Sequence, residues 1–581
     1  MKNKALIGRV IATEKYPTTM NSFCFWTDKD LILNPFDVVI VENESNGSQT
    51  FAVIEEISHI TDSASFLADF ISSDFGDVEV TAPTHRIGMN YVKASVVGNS
   101  KNIFIPVQSN AKVRLASEEE ISTALGFDEI RKGNHALVCG YLDMYENSND
   151  GGTITLPVPV DSRYLIGPEG AHLNISGISG LAAKTSYAMF LLKSIQDKQL
   201  RGELKDDVAF VIFNVKGKDL LAIDEENSFD GNDREREATY ETYRMMGITP
   251  EPFKNVKYFY PHKSSSEALS HVDADLLASQ KRQGKAYQYK FIYEEDRENL
   301  DLLFADIDDS TQTMDSILNN IISGTDGFNN ISDWIGFVDR IGEKTKAGTS
   351  SSKDIPVQSW RKFNRLIKKA IENNPLFGTK VTEGKKEIRL QTAISRLERN
   401  SIYVIDIAHL PSDMQGFVFG NVIRDIYNLQ LGVMDEVSEN KPSKIVIFMD
   451  ELNKFASTET PKNSPILRQI LDIAERGRSL GVILFGAEQF KSALHSRVSG
   501  NSSTFAYGRT NAIELSKGDY KYVPPVYKSM MTRLKQGEYI VQNPIFKSLL
   551  QVKFPKPLYK QFKWGLSKKW LNYLVKISLK Y

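Results

Sequence analysis

Four short runs of nearly unbroken apolar residues constrain this chain more than any other feature. They are VAFVIFNV (208–215), SIYVIDI (401–407), KIVIFMD (444–450) and GVILFGAEQ (481–489). A strand with one wet face alternates apolar and polar residues, and these do not. Strands buried on both faces read this way, and a parallel sheet covered by helices on both sides is their usual setting. Helical patterns lie between them: SYAMFLLKSIQ, GFVFGNVIRDIYNLQL and ILRQILDIAERGR, with a further strand, AHLNIS, ahead of the first. The alternation predicts an α/β domain on a mainly parallel sheet, in two parts, 160–227 and 396–550.

The rest of the chain has other textures. Residues 1–110 carry short β-like runs (KALIGRVIAT, MNSFCFWT, FDVVIVENE, QTFAVIEEIS, MNYVKASVVG) broken by Asn, Gly and Pro, which predict a small β-barrel. A connector over 111–159 holds a charged helix (SEEEISTALGF), a strand (HALVCGYLDM) and a surface turn at 146–152. The stretch 228–395 is polar and mainly helical in pattern, as in SEALSHVDADLLASQ, TMDSILNNII and SWRKFNRLIKKAI, and is taken as an insertion. Within it, KAGTSSSKD at 346–354 reads as a loop. The segment 551–581 contains eight Lys and no acid, interleaved with Phe554, Tyr559, Phe562, Trp564, Trp570 and Tyr573.

Composition excludes several classes. With 581 residues the chain exceeds one compact core. A net charge of −2 gives no global basic field, so any nucleic-acid site is local. Two cysteines, Cys24 and Cys139, build no disulfide framework, and a reducing cytoplasm is the expected compartment. No run approaches 18 apolar residues, so neither a membrane span nor a signal peptide is expected.

Chemistry concentrates in NISGISGLAAKTS (174–186). A phosphate loop is Gly, four residues, then Gly-Lys-Ser/Thr. Here Lys184 and Thr185 are present, Ala183 stands in the second Gly position, and Gly177 falls one place early. Strand AHLNIS before the loop and the helix after it supply the setting. The helix offers free backbone N–H groups to phosphate, Lys reaches the terminal phosphates, and Thr holds Mg²⁺. Gly177, Ser179, Gly180, Ala183, Lys184, Thr185 and Ser186 are the candidate nucleotide contacts. Taken alone, the stretch also reads as a plain strand-turn-helix.

KIVIFMDELNKF strengthens the first reading. Asp450 and Glu451 follow five apolar residues, and adjacent side chains at a strand end point different ways. Asp450 can then enter the Mg²⁺ shell while Glu451 polarises a water. Gln489 ends a further buried strand, where a neutral amide can sense a γ-phosphate. Arg476, Arg478 and Arg509 flank such strands. A neighbouring subunit's arginine can stabilise charge on the transferring phosphoryl group, while a helix-terminal arginine can equally serve the macrodipole.

Together these stretches resemble the HerA family of hexameric ATPases, relatives of the FtsK-type DNA translocases, in a bacterial antiphage-defence form. IGRVIAT and its following strands look like that family's small N-terminal barrel. DSRYLIGPEGAHLNISG leads into the loop, MDELNKF occupies the Walker B place, and LDIAERGRSLGVILFGAEQ matches the arginine-strand-Gln segment. LKQGEYIV and VKFPKP resemble the end of the ATPase domain. The resemblance implies a RecA-like P-loop ATPase with a barrel and a helical insertion. It implies ATP and Mg²⁺ as cofactors, with Lys184 and Thr185 in the loop, Asp450 on the metal, Glu451 and Gln489 at the water, and Arg478 or Arg509 acting across a subunit interface.

It further implies a homo-hexamer with double-stranded DNA in a central channel. A separate nuclease or sirtuin-like NAD-consuming effector would dock on the barrel. A pore that tolerates any sequence grips phosphates, not base edges. Lys216 and Lys218, in NVKGKDLL, are candidates for that grip or, on the other reading, solvated loop charges. The Lys-rich tail can brace a neighbouring subunit, cap its own domain or contact DNA; Trp570, Tyr573, Leu574 and Ile577 at helical spacing favour packing. Two functions remain open: a DNA-stimulated ATPase motor, and a nucleotide-binding ring scaffold that assembles partner enzymes.

Overall fold

The structure, a computed structural model, describes residues 6–28, 30–72, 75, 87–146, 151–180, 182–305, 307, 313–346 and 355–562. Most of the turn at 146–152, most of the loop at 346–354 and residues 563–581 of the Lys-rich tail lie outside these. Contacts divide the chain into two units. One comprises Met1–Tyr164, Gly177–Ala182 and Thr504–Phe554; the other comprises Leu165–Ser176, Ala183–Ser503 and Pro555–Tyr581.

The first unit opens with a closed barrel. Its strands are β1 (Leu6–Ile11), β2 (Ser22–Thr27), β3 (Val38–Asn43), β4 (Ser48–Thr61), β5 (Gly88–Asn99) and β6 (Lys112–Leu115), in the order β1-β2-β5-β4-β3-β6. All neighbours are antiparallel, and β6 pairs with both β1 and β3 to close the cylinder. Closure leaves no open edge. Residues pointing inward, such as Phe25, Val39, Val41, Ile54, Val92 and Val113, form its core. The charged helix falls at Glu118–Leu125. Ser117 and Glu120 form a reciprocal capping box at its start, and Gly126 (φ 80) ends it. Strands β7 (Ala136–Tyr145) and β8 (Thr153–Asp161) form an antiparallel pair in this unit.

The second unit is built on eight parallel strands. In chain order they are β9 (Leu173–Ser176), β10 (Val208–Asn214), β11 (Val256–Pro261), β12 (Ala286–Tyr289), β15 (Glu387–Ile388), β16 (Ile402–Asp406), β17 (Lys444–Asp450) and β18 (Val482–Glu488). Spatially they run β15-β12-β11-β16-β10-β17-β18-β9. The remaining two-residue strands β13 (Phe291–Ile292) and β14 (Phe377–Gly378) pair with each other. In the first unit, β19 (Thr504–Tyr507), β20 (Glu538–Gln542) and β21 (Leu550–Lys553) are antiparallel neighbours, and β21 meets β7.

Burial explains the apolar runs. Every residue of β10 and β18 is buried. On β17, Ile445, Ile447 and Met449 join the core of helices Ser412–Leu431 and Pro465–Leu480. The alternate residues Val446 and Phe448 are equally buried on the other face, where helix Lys184–Leu200 lies. This is a RecA-like α/β arrangement with an N-terminal barrel.

The helical stretch 228–395 also supplies strands: β11, β12 and β15 extend the parallel sheet past β16. Its helices Trp334–Lys344 and Val357–Ile371 bury Trp334, Phe337, Trp360 and Phe363. SEALSHVDADLLASQ is helical only from Ala274. Upstream, the Ser264 hydroxyl accepts from Glu267 N at 3.2 Å and fixes a turn in place of a helix.

Candidate functional site: the loop and acid pair at the strand ends

In an open parallel sheet, ligand sites form beyond the carboxyl ends of the strands. The chain leaves β9 at Ser176 and turns at Gly177, whose φ is 156°. A Cβ at Gly177 would lie 2.6 Å from the Ala182 Cβ and 3.3 Å from the Arg509 carbonyl oxygen, so the turn admits only glycine. Ile178 N donates to the Arg509 carbonyl at 2.8 Å and Ala182 N to the Ile178 carbonyl at 3.0 Å. The Tyr539 hydroxyl donates to the Ala182 carbonyl. Ser179 and Gly180 are exposed, and Gly180 has φ 80°.

Ala183 takes a left-handed conformation (φ 49°, ψ 42°) and makes no side-chain cap for the helix Lys184–Leu200. The first N–H groups of a helix have no intrahelical partner and carry the positive end of its dipole. An uncapped start opening on Lys184 suits an anion. Lys184 is 6% exposed. Burial pushes its pKa down; Asp450 opposes this, Lys216 reinforces it, and Glu488 and Glu451 pull it back up.

Strand β17 lies between β10 and β18, with Asp450 opposite Ala487 and Met449 opposite Phe213. Thr185 Oγ1 donates to Asp450 Oδ2 at 3.3 Å, bringing the helix start onto the strand end. Glu451 N donates to Asp450 Oδ1 at 3.0 Å. Glu451 itself has φ 59°, a left-handed backbone, and its carboxylate is half-exposed. Lys216 Nζ sits 2.7 Å from Glu451 Oε1 and 3.5 Å from Asp450 Oδ2. Partial burial lowers the pKa of this ammonium, but Asp450 and Glu451 outweigh it and raise the pKa overall.

The structure thus gathers Lys184, Thr185, Asp450, Glu451 and Lys216. Ser186 turns elsewhere, lining a small cavity with Phe253 and Tyr559. Gln489 follows β18 and is exposed. The residue before it, Glu488, is fully buried, and burial pushes its carboxyl well up against the opposing pull of Asn174 and Lys184. Arg478, at the end of helix Pro465–Leu480, donates to the Glu169 carbonyl at 3.3 Å. Arg509 is half-buried and receives Ile178 N on its backbone. Lys218 pairs with Asp273 at 2.7 Å, and its ammonium lies 5.9 Å from the Phe562 ring centroid.

Sequence reasoning named Lys216 only as a pore or solvated loop charge, and it missed both that residue's place beside Glu451 and the group Glu488. Lys216 against Glu451 follows from strand order: β10 and β17 are parallel neighbours, so the residues just past their ends meet. Glu488 is the last residue of a buried run, one place before the more conspicuous Gln489.

No family model matches the sequence, and no curated protein matches it. Several solved structures show a partial likeness to this chain. One is the bacterial conjugative coupling protein TrwBΔN70, at 10% identity and TM-score 0.40, covering 76% of this chain and 94% of that one. A second is EssC (ATPases 2 and 3) from Geobacillus thermodenitrificans, at 12% identity and TM-score 0.25, covering 77% and 49%. A third is the genome packaging NTPase B204 of Sulfolobus turreted icosahedral virus 2 in complex with ATP-γS, at 14% identity and TM-score 0.21, covering 28% and 71%. At these identities and scores they assign no residue of this chain.

Among the described residues no helix is long and apolar enough to cross a membrane, and no group of three or more His, Cys, Asp and Glu residues is placed to hold a metal ion.

Proposed function

We propose that the protein is an ATPase of the RecA-like P-loop class that acts on duplex DNA as a ring. The observation that carries this reading is the Thr185–Asp450 hydrogen bond beside a buried Lys184 at an uncapped helix start. A hydroxyl and a carboxylate at one point form a hard oxygen donor set that fits Mg²⁺. Lys184 and the helix N–H groups fit the phosphates of ATP. When bound, Mg²⁺ supplies neutralisation of charge on the β- and γ-phosphates. Lys184 holds the triphosphate, Thr185 and Asp450 orient toward the metal, Glu451 polarises the attacking water, and Gln489 senses the γ-phosphate.

Arg478 and Arg509 act across a subunit interface in a homo-hexamer, with DNA in the central channel. The closed barrel offers the docking platform for a separate effector, a nuclease or an NAD-consuming enzyme, in a HerA-type antiphage system. Cys24 and Cys139 form no disulfide, which suits the cytoplasm.

One observation favours a second reading, a nucleotide-binding ring scaffold with little turnover: Glu451 is engaged by Lys216. ATP hydrolysis with and without duplex DNA, native against Glu451→Gln, separates the two. Turnover that rises with DNA and is lost in the variant supports the motor. Undetectable turnover in both proteins, with a ring visible by native mass, supports the scaffold.

A further inference from the structure

On the ATPase reading, which this inference rests on, Glu451 must be free to polarise a water. Here its carboxylate is already paired with Lys216 Nζ at 2.7 Å, and the same ammonium reaches Asp450 Oδ2 at 3.5 Å. We infer that Lys216 is a positioning residue: it holds the acid pair in a resting state and releases it when the loop after β10 moves.

Three features of the fold support this. Lys216 stands two residues past Asn214, the end of β10, so its backbone lies beside the end of β17 whatever its side chain does. The loop is anchored at points away from the acid pair. Asn214 Nδ2 donates to the Gly217 carbonyl at 3.0 Å and to Asp406 Oδ1, at the end of β16, at 2.7 Å. One residue further, Lys218 is tied to Asp273, the residue preceding helix Ala274–Arg282.

The loop is therefore a lever with one cation on the acid pair and another on a surface acid. A polyanion that competes for Lys218 or Lys216 would draw Lys216 off Glu451. The phosphate backbone of DNA is such a polyanion. Hydrolysis would then be restrained without DNA and released with it, by a single ion pair.

The local charges agree. Lys184 and Lys216 face Asp450 and Glu451, two cations against two acids. A neutral residue at 216 would leave Glu451 without the cation it pairs with here. Partly exposed ion pairs of this kind contribute on the order of 1 kcal/mol, which is about fivefold in an equilibrium.

The test compares full-length native protein with Lys216→Gln, which removes the charge, and Lys216→Arg, which keeps it. Two readouts are used: ATP hydrolysis without DNA, and Mn²⁺ binding by the nucleotide-free protein, followed by electron paramagnetic resonance. The inference expects Lys216→Gln to hydrolyse about fivefold faster without DNA, to show a smaller DNA stimulation and to bind Mn²⁺ about fivefold more tightly, with Lys216→Arg near native in all three. A role confined to holding the fold would lower hydrolysis and leave Mn²⁺ affinity unmoved. If native protein hydrolyses ATP and Lys216→Gln is no faster without DNA, the inference is overturned. If native protein hydrolyses nothing, the ATPase reading fails, and the Mn²⁺ titration alone decides whether Lys216 shields the acid pair: unchanged affinity rejects that.

Discussion

Ala183 occupies the position where a phosphate loop usually carries glycine, and its backbone is left-handed at φ 49° and ψ 42°. For an L-residue this conformation costs roughly 1–2 kcal/mol, because Cβ crowds the following carbonyl. Glycine escapes that crowding but loses roughly 0.5–1 kcal/mol of extra chain entropy on folding. The difference favours Ala183→Gly by about 0.5–1 kcal/mol, a factor of about two to five in the local opening equilibrium. Hydrogen exchange of the amides from Lys184 to Tyr187 reads this directly, because Tyr187 N donates to the Ala183 carbonyl at 3.0 Å. A control lies one turn on. Ala188 is fully buried in the same helix, and Ala188→Gly should destabilise by about 1 kcal/mol or more. If Ala183→Gly speeds exchange as Ala188→Gly does, residue 183 is an ordinary right-handed helical residue and the strained-loop account is wrong.

Two other outcomes are expected. Gly177→Ala should abolish nucleotide binding while leaving the barrel folded. Its new Cβ meets the Ala182 Cβ at 2.6 Å and forces the loop to move; an unchanged affinity by calorimetry would show that the loop is not the binding element. In the barrel, burial pushes Asp37 up to about 6, against backbone amides of Asn34 and Tyr145 that pull it down. An acid whose folded pKa is raised binds its proton more tightly when folded, so its contribution to stability falls as pH rises from about 4 to about 6. The drop is at most about 3 kcal/mol. Urea denaturation across that range should show the difference between native protein and Asp37→Asn shrinking toward pH 6 and then levelling. A difference that grows with pH would mean that the amides hold the carboxylate in its charged form.

The sheet was legible where burial on both faces leaves nothing polar between the strand ends, as in residues 208–213 and 445–449. It was illegible in β11 and β12, where tyrosines stand in for aliphatics. Those strands are mostly buried, and the buried tyrosine hydroxyls find partners: Tyr258 on Asp224 at 2.5 Å, Tyr260 on Gln280 at 2.7 Å and Tyr289 on the Asp406 carbonyl at 2.8 Å. A count of apolar residues does not register a tyrosine whose oxygen is satisfied. At the site, Lys184 and Thr185 could be named from local spacing, and Asp450 from the end of an apolar run. The Lys216–Glu451 pair depends on which strands are neighbours, a property of the sheet and of no short window. Arg478 and Arg509 draw their proposed role from a neighbouring copy, and no periodicity within one chain marks such a residue.

Equilibrium binding of ATP with Mg²⁺, native protein against Lys184→Ala, bears most directly on whether this fold clasps a triphosphate. The account expects saturable binding by native protein, weakened at least about tenfold when the buried ammonium is removed, since charge-assisted contacts to phosphate are worth about 1.5–3 kcal/mol. Native protein that retains no ATP at millimolar concentration, or a variant that binds as well as native, would contradict it.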